Sequence, residues 1–219
     1  MTDATRGLAM FPLGSVLFPG MPLQLRVFEP RYVSMLLSVL AEDDHEFGVV
    51  LIERGSEVGG GDMRFGVGTV ARIVSVEKDE GLIVLLATGT ARFEVVRWLQ
   101  DDPFPRAEVR ELPAVELDES TPSALEVAEA VVRKTISRAS EFVALQYPAD
   151  TELSPSLAER IWQVAGISPL NSMDQYALLR STTAAELLTR LVDDTQGADM
   201  LFAAGWGSDL QDDDGDLPE

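Results

Sequence analysis

The spacing of apolar residues changes near residue 113, and this change is the strongest constraint on the fold. Before it, short apolar runs bounded by Pro and Gly predict β-strands, as in LAMFPL (8–13) and FGVVLIE (47–53). After it, apolar residues recur every three or four positions, which predicts amphipathic helices. A chain that carries strands first and helices afterwards indicates an α+β protein.

Residues 8–112 are predicted to form a β-rich subdomain with one inserted helix. The helix is PRYVSMLLSVLAE (30–42), in which Tyr32, Leu36 and Val39 share one face with Leu40. Because many short strands follow one another closely, they favour a closed or partly closed barrel. The other apolar runs that predict strands are 23–28, 65–77, 82–89, 91–99 and 106–112.

A helical subdomain is predicted over 123–196, after an acidic, turn-rich linker over 113–122. No base follows Arg190 while acids continue, which predicts a disordered acidic tail over 197–219. A docked segment over 198–206 is the alternative. The predicted helices are 121–146, 154–166, 171–181 and 183–194, supported by capping boxes at Ser123 with Glu126, Ser156 with Glu159, and Thr183 with Glu186.

The composition removes several classes of function. The chain has 17 Lys and Arg against 37 Asp and Glu, a formal net charge of −20, which disfavours nucleic-acid binding. Cys is absent and there is one His, which excludes disulfides, thiol catalysis and zinc sites built on Cys or paired His. No apolar run approaches the ~18–20 residues of a membrane span. Pro and Gly interrupt the first apolar stretch, so no signal peptide is expected and a cytoplasmic location is predicted.

Short motifs for chemistry are present but lack their structural context. Ser75 and Lys78 match S-x-x-K, but a strand end and a hairpin turn are predicted where catalysis needs a helix. Gly66 and Gly68 match a dinucleotide-binding fingerprint, but strand-like residues follow where a helix is required. The acids around His45 lack EF-hand spacing. We therefore predict no catalytic, cofactor-binding or metal-binding residues, and no enzyme.

The segment FPLGSVLFPGMPLQLRVFEPRY (11–32) is the most specific in the chain. It contains an FPL strand, an LFPG turn and FEPRY leading into a helix. This order resembles the opening of the Lon protease N-terminal, substrate-binding domain, in the form found in stand-alone bacterial proteins. Five later segments resemble later parts of that family in the same order, so the resemblance covers about residues 8–195. These segments are 66–73, 89–98, 101–109, 158–166 and 178–191.

The resemblance implies a PUA-like β barrel with one inserted helix, followed by a C-terminal helical bundle. It also implies engagement of substrates or partners. It does not imply proteolysis, because the ATP-binding loop GxxxxGK[ST] is absent from the sequence. We expect neither the ATPase nor the protease activity of Lon.

The leading hypothesis is a non-enzymatic module that binds polypeptides or exposed apolar segments and hands them to a protease or chaperone in protein quality control. We expect a monomer or weak dimer without cofactor. The alternatives are a small-molecule or RNA-binding PUA-like domain, and a hydrolase using Ser75 and Lys78. The candidate groove residues also have a purely structural interpretation, as core and turn residues; they are Leu17, Phe18, Pro19, Met21 and Phe28.

Overall fold

Six strands and five helices make up the residues that the computed structural model describes, 5–53, 63–79 and 82–203. The chain divides into two compact units, Met1–Ala114 and Val115–Glu219. The α+β class is confirmed. Among the described helices, none combines the length and the apolar character that crossing a bilayer requires.

The first unit contains all six strands and one helix. The N-terminal part is β1 (Thr5–Leu13), β2 (Pro22–Val27) and α1 (Pro30–Leu40). The rest is β3 (Glu46–Glu53), β4 (Met63–Asp79), β5 (Leu82–Trp98) and β6 (Arg106–Glu111).

The strand pairings of this unit return to their starting point. β1 pairs in parallel with β3, and antiparallel pairings then run from β3 to β4, β5 and β6, which pairs with β1. We call these five strands the strand ring. β5 is one strand, where two were predicted over 82–89 and 91–99, because its first half pairs with β2 and its second half with β6. The more specific assignment to the PUA-like barrels stays a prediction.

Phe93 of β5 lies in a core that the strand ring builds from residues on five strands. The Phe93 ring fits only because two neighbouring residues are glycines without a Cβ atom. A Cβ on Gly48 would lie 2.9 Å from Phe93 Cζ, and a Cβ on Gly68 would lie 2.6 Å from the same atom. Gly66 is different, since a Cβ there would meet no atom within 4 Å. The other core residues are Leu8, Met10, Val50, Val70, Ala107 and Val109.

Helix α1 buries the face that the periodicity predicts. Tyr32, Leu36 and Val39 are buried, and the ring of Tyr32 stacks on Phe11 with the ring centroids 4.2 Å apart. Leu40, at the end of the helix, stays partly exposed.

The second unit contains α2 (Thr121–Ala139), α3 (Leu157–Ile167), α4 (Ser172–Leu179) and α5 (Ala184–Ala203). α2 ends seven residues before the predicted end at 146, and Ser140 follows it as the C-cap residue. α5 runs nine residues beyond the predicted end at 194.

The extension of α5 includes residues 197–203, which were expected in the tail. Two contacts stabilise it: Phe202 is buried, and Asp199 forms an ion pair with Arg138 of α2 at 2.8 Å. Residues 204–219 of the expected tail lie outside the described residues.

The capping boxes have different outcomes. Thr183 accepts from the Glu186 N–H at 3.1 Å, which is one of the two bonds of the predicted box, while the Glu186 carboxylate accepts from the Thr182 N–H at 3.0 Å. Ser156 is an N-cap residue without a side-chain capping bond, and Ser123 lies inside α2, so those two boxes are wrong. Asn171, which the sequence analysis missed, caps α4 by accepting from two backbone N–H groups at 3.0 Å each.

Candidate functional site

The turn before β2 is held firmly against β4 and β5. The Thr69 hydroxyl donates to the Leu17 carbonyl at 2.6 Å, and the Gly20 N–H donates to the Gly89 carbonyl at 2.8 Å. Gly20 has φ 74°, a left-handed conformation that glycine adopts without strain. A Cβ on Gly89 would collide with the carbonyl of Phe18, so the turn packs directly on the backbone of β5.

These contacts separate the five candidate groove residues into two groups. Leu17, Phe18 and Met21 are only 6%, 1% and 6% exposed, so their side chains belong to the core. Pro19 is half-buried, and Phe28 is 68% exposed. Of the five residues, Phe28 is therefore exposed to solvent, together with part of Pro19.

Within the described residues, strand β2 has one edge that pairs with no other strand. Every other described strand pairs on both sides along some part of its length, whereas β2 pairs only with β5. A strand edge presents backbone N–H and C=O groups that an incoming extended chain can pair with. The edge was not predicted, because the pairing partner of β2 lies about sixty residues away in the sequence.

The apolar face of β2 continues across two further strands. Leu25 lies opposite Leu85 of β5, and Leu85 lies opposite Val76 of β4. Leu85 is fully buried, Leu23 and Leu25 are half-buried, and Val76 is 36% exposed. Because side chains alternate along a strand, Pro22, Gln24 and Arg26 lie on the other face, and all three are exposed.

The FEPRY segment leaves β2 and begins α1. Arg31 Nε donates to Glu29 Oε2 at 2.9 Å, and the Arg31 guanidinium lies 4.7 Å from the centre of the Tyr32 ring. These contacts position the start of α1, with Pro30 in its first turn. Phe28 stands between this braced start and the end of β2. We define the edge surface as β2 together with Phe28.

Glu46, one of the acids near His45, belongs to an ion-pair cluster. Its side chain is 8% exposed and lies 2.8 Å from both Arg6 Nη2 and Arg72 Nη2. Burial alone raises the pKa of Glu46, but the hydrogen bonds and charges of both arginines outweigh burial and hold the pKa below its usual value. The Glu46 carboxylate is therefore engaged by arginines.

The structure does not assemble the other short motifs. Ser75 and Lys78 are three residues apart in β4, so their side chains lie on opposite faces of the strand. Gly66 and Gly68 also lie within β4, with no helix after them. The absent side chain at Gly68 makes room for Phe93, which gives that glycine a packing role.

The fold, a strand unit followed by a helical unit, is shared with solved Lon N-terminal domains. The crystal structure of a Lon N-terminal domain protein from Xanthomonas campestris is 26% identical and superposes with a TM-score of 0.61, covering 86% of this chain and 98% of that one. The N-terminal domain of a Mycobacterium avium complex Lon protease shares the fold, with a TM-score of 0.62 over 87% of this chain and 98% of its own at 15% identity.

The family model for the ATP-dependent protease La (LON) substrate-binding domain matches residues 7–193, so the chain belongs to this family. Similar proteins include the Lon protease of Anaeromyxobacter dehalogenans, 35% identical over 161 residues, or 71% of this chain. Lon protease 2 of Myxococcus xanthus is 37% identical over 111 residues, or 49% of this chain. These matches span 18% and 13% of the two relatives' own lengths.

Proposed function

We propose that the chain is a polypeptide-binding module that takes extended apolar segments at the edge surface. In this proposal the module has no catalytic activity and serves as an adaptor that passes bound chains to a protease or chaperone. The free edge of β2 is the observation that carries this proposal. Membership of a substrate-binding family supports it.

The mode of binding follows from the geometry of the edge. An extended peptide that adds a strand beside β2 gains main-chain hydrogen bonds whatever its sequence, which suits a binder of many polypeptides. Alternate side chains of that peptide lie next to the half-buried Leu23 and Leu25. The peptide is therefore selected for apolar residues at every second position.

Phe28 supplies the apolar anchor of the edge surface. It is 68% exposed, so burying its ring beneath a bound chain contributes roughly 1–2 kcal/mol. That free energy corresponds to about tenfold in affinity. Leu17, Phe18 and Met21 have a supporting role in this proposal, since their burial holds the turn that precedes β2.

The first experiment measures binding of the purified chain to a fluorescent, permanently unfolded protein by anisotropy, at low and high salt. Phe28→Ser is expected to weaken binding about tenfold, with little dependence on salt. Val96→Ser is the matched control, because Val96 is also an exposed apolar residue of the first unit but lies outside the edge surface. Equal affinities of the two variants would contradict a role for Phe28.

Hydrogen exchange locates the bound chain directly. Backbone amides within 22–27 that face away from β5 are expected to exchange more slowly when the unfolded protein is bound, since they then donate to its carbonyls. Unchanged exchange over 22–27 at saturating ligand would exclude strand addition at β2, even if the chain binds polypeptides elsewhere.

A further inference from the structure

The helical unit contains a pocket of about 730 Å³ that the edge surface does not involve. Its walls come from α4, the C-terminal half of α5, the end of α3 at Gly166 and Ile167, and the connecting segments 143–147 and 168–171. This volume lies within the range of roughly 300–1,000 Å³ that holds small ligands or a few side chains.

One part of the pocket wall is apolar. Phe202 at the end of α5 is buried, whereas Leu201 beside it is partly exposed. An apolar side chain placed here leaves water without displacing a polar contact of the protein. The apolar residues that surround the pocket include Val143, Leu145, Ile167, Leu170, Leu201 and Phe202.

The rest of the wall is negatively charged. Asp174 of α4 and Asp193 and Asp194 of α5 line the pocket, and no Lys or Arg is among its described lining residues. Asp174 accepts from Asn171 Nδ2 at 2.7 Å. A ligand inside the pocket therefore faces three carboxylates and no lining base, although Arg190, outside the lining, lies 3.6 Å from Asp194.

Asp194 is the carboxylate among these three with a buried oxygen that accepts no hydrogen bond. Its Oδ2 atom is buried without a hydrogen bond, and Arg190 Nε lies 3.6 Å away, too far to donate one. Burial raises the pKa of Asp194, and the nearby Asp174 and Asp193 add to this, with Arg190 opposing them. A cationic N–H group inside the pocket would supply the hydrogen-bond donor that this Oδ2 atom lacks.

We propose that this pocket binds a polypeptide segment in which a lysine or arginine flanks apolar residues. The apolar wall takes the apolar side chains, and the carboxylates select the base by charge complementarity. The chain's own residues 204–219 do not fit this chemistry, because they contain six acids and no base. The pocket lies in the second unit, so this proposal does not rest on the edge surface.

Two variants test the pocket from opposite directions. Gly197→Leu narrows it: Gly197 lines the pocket inside α5, a Cβ there meets no atom within 4 Å, and leucine favours a helix more than glycine does. Asp194→Asn removes the charge of this carboxylate with almost no change of shape. Glu126→Gln is the matched control, because it removes one exposed charge from α2 away from the pocket.

The probe is a fluorescein-labelled peptide with a leucine-rich centre and arginine at both ends, measured by anisotropy with the full chain. We expect Asp194→Asn to weaken binding at least about tenfold, the size of a lost charge-assisted hydrogen bond. Gly197→Leu should weaken it by at least as much, and Glu126→Gln should bind like the wild type. The same peptide with glutamate for arginine, or serine for leucine, is expected to bind more weakly by a similar factor.

Three results would overturn the proposal. The first is wild-type affinity in both pocket variants. The second is loss of peptide binding in Phe28→Ser but not in the pocket variants, which would place the peptide on the edge surface. The third is binding only after deletion of 204–219, which would make the chain's own C-terminal segment the occupant. Circular dichroism of each variant confirms its helical content.

Discussion

Gly68→Ala is expected to destabilise the first unit strongly, although it adds a single methyl group. The new Cβ would lie 2.6 Å from Phe93 Cζ and 2.8 Å from Val50 Cγ1, and closer still to the backbone oxygen of Val49. A side chain can rotate away from such a contact. The oxygen belongs to β3, which pairs with β4 at this position, so the two strands must separate.

The cost follows from this geometry. Overpacking a core typically costs about 1–3 kcal/mol, and a collision that side-chain rotation cannot relieve belongs at the upper end. We therefore expect a loss of about 3 kcal/mol, or roughly 10 °C in Tm for a unit of this size. Gly66→Ala in the same strand meets no atom within 4 Å. It is expected to be neutral or to stabilise by up to about 1 kcal/mol, since glycine is a poor strand residue.

Thermal and urea unfolding followed by circular dichroism compare the two variants with the wild type. The comparison also separates two explanations of the G-x-G motif. If the motif bound a dinucleotide, both substitutions would act on ligand binding rather than on stability. A Tm for Gly68→Ala within about 2 °C of the wild type, or equal losses in both variants, would refute the packing argument.

Three further predictions concern charge and capping. The pKa of Glu46 is lowered, so the stability it confers is present above its usual pKa near 4.5 and is lost as pH falls below that value. Glu46→Gln should flatten this acid limb in urea titrations, and an unchanged limb would contradict the role of the Arg6 and Arg72 pairs. The pKa of Asp194 is raised mainly by burial and next by Asp174, so its charge opposes folding and the second unit gains stability as pH falls towards the raised pKa. Asp194→Asn should therefore stabilise that unit at neutral pH even as it weakens peptide binding; a lower Tm would show that the Arg190 contact outweighs burial. Asn171→Ala should cost about 1 kcal/mol by removing the cap of α4, with Asn171→Ser close to the wild type as the control.

The sequence predicts the fold class because the spacing of apolar residues shows which side chains share a buried face, and this spacing differs between strands and helices. The inserted helix and the strands of the first unit other than β5 follow from runs and spacings within short windows. The lengths of α2 and α5 do not. The end of α5 depends on the burial of Phe202 and on the ion pair of Asp199 with Arg138, and the spacing of apolar residues contains neither contact.

The candidate site shows more clearly what the sequence alone cannot predict. Phe18 and Phe28 stand in the same signature segment and look alike as sequence, yet one is 1% exposed and the other 68%. Phe18 is covered because its turn hydrogen-bonds to residues of β4 and β5 that lie more than fifty positions later. Phe28 follows β2 and stays exposed.

By itself, the sequence determined the order of strands and helices, the acidic charge and the absence of cysteine chemistry. Only the tertiary structure decided which edge stays unpaired, why Gly68 is glycine, and where Asp174 and Asp194 meet beside an apolar wall. The reason is physical. The tendency of a side chain to be buried is a property of each residue and can be read from the sequence. Whether a particular side chain is covered depends on pairings between segments that are distant in the sequence.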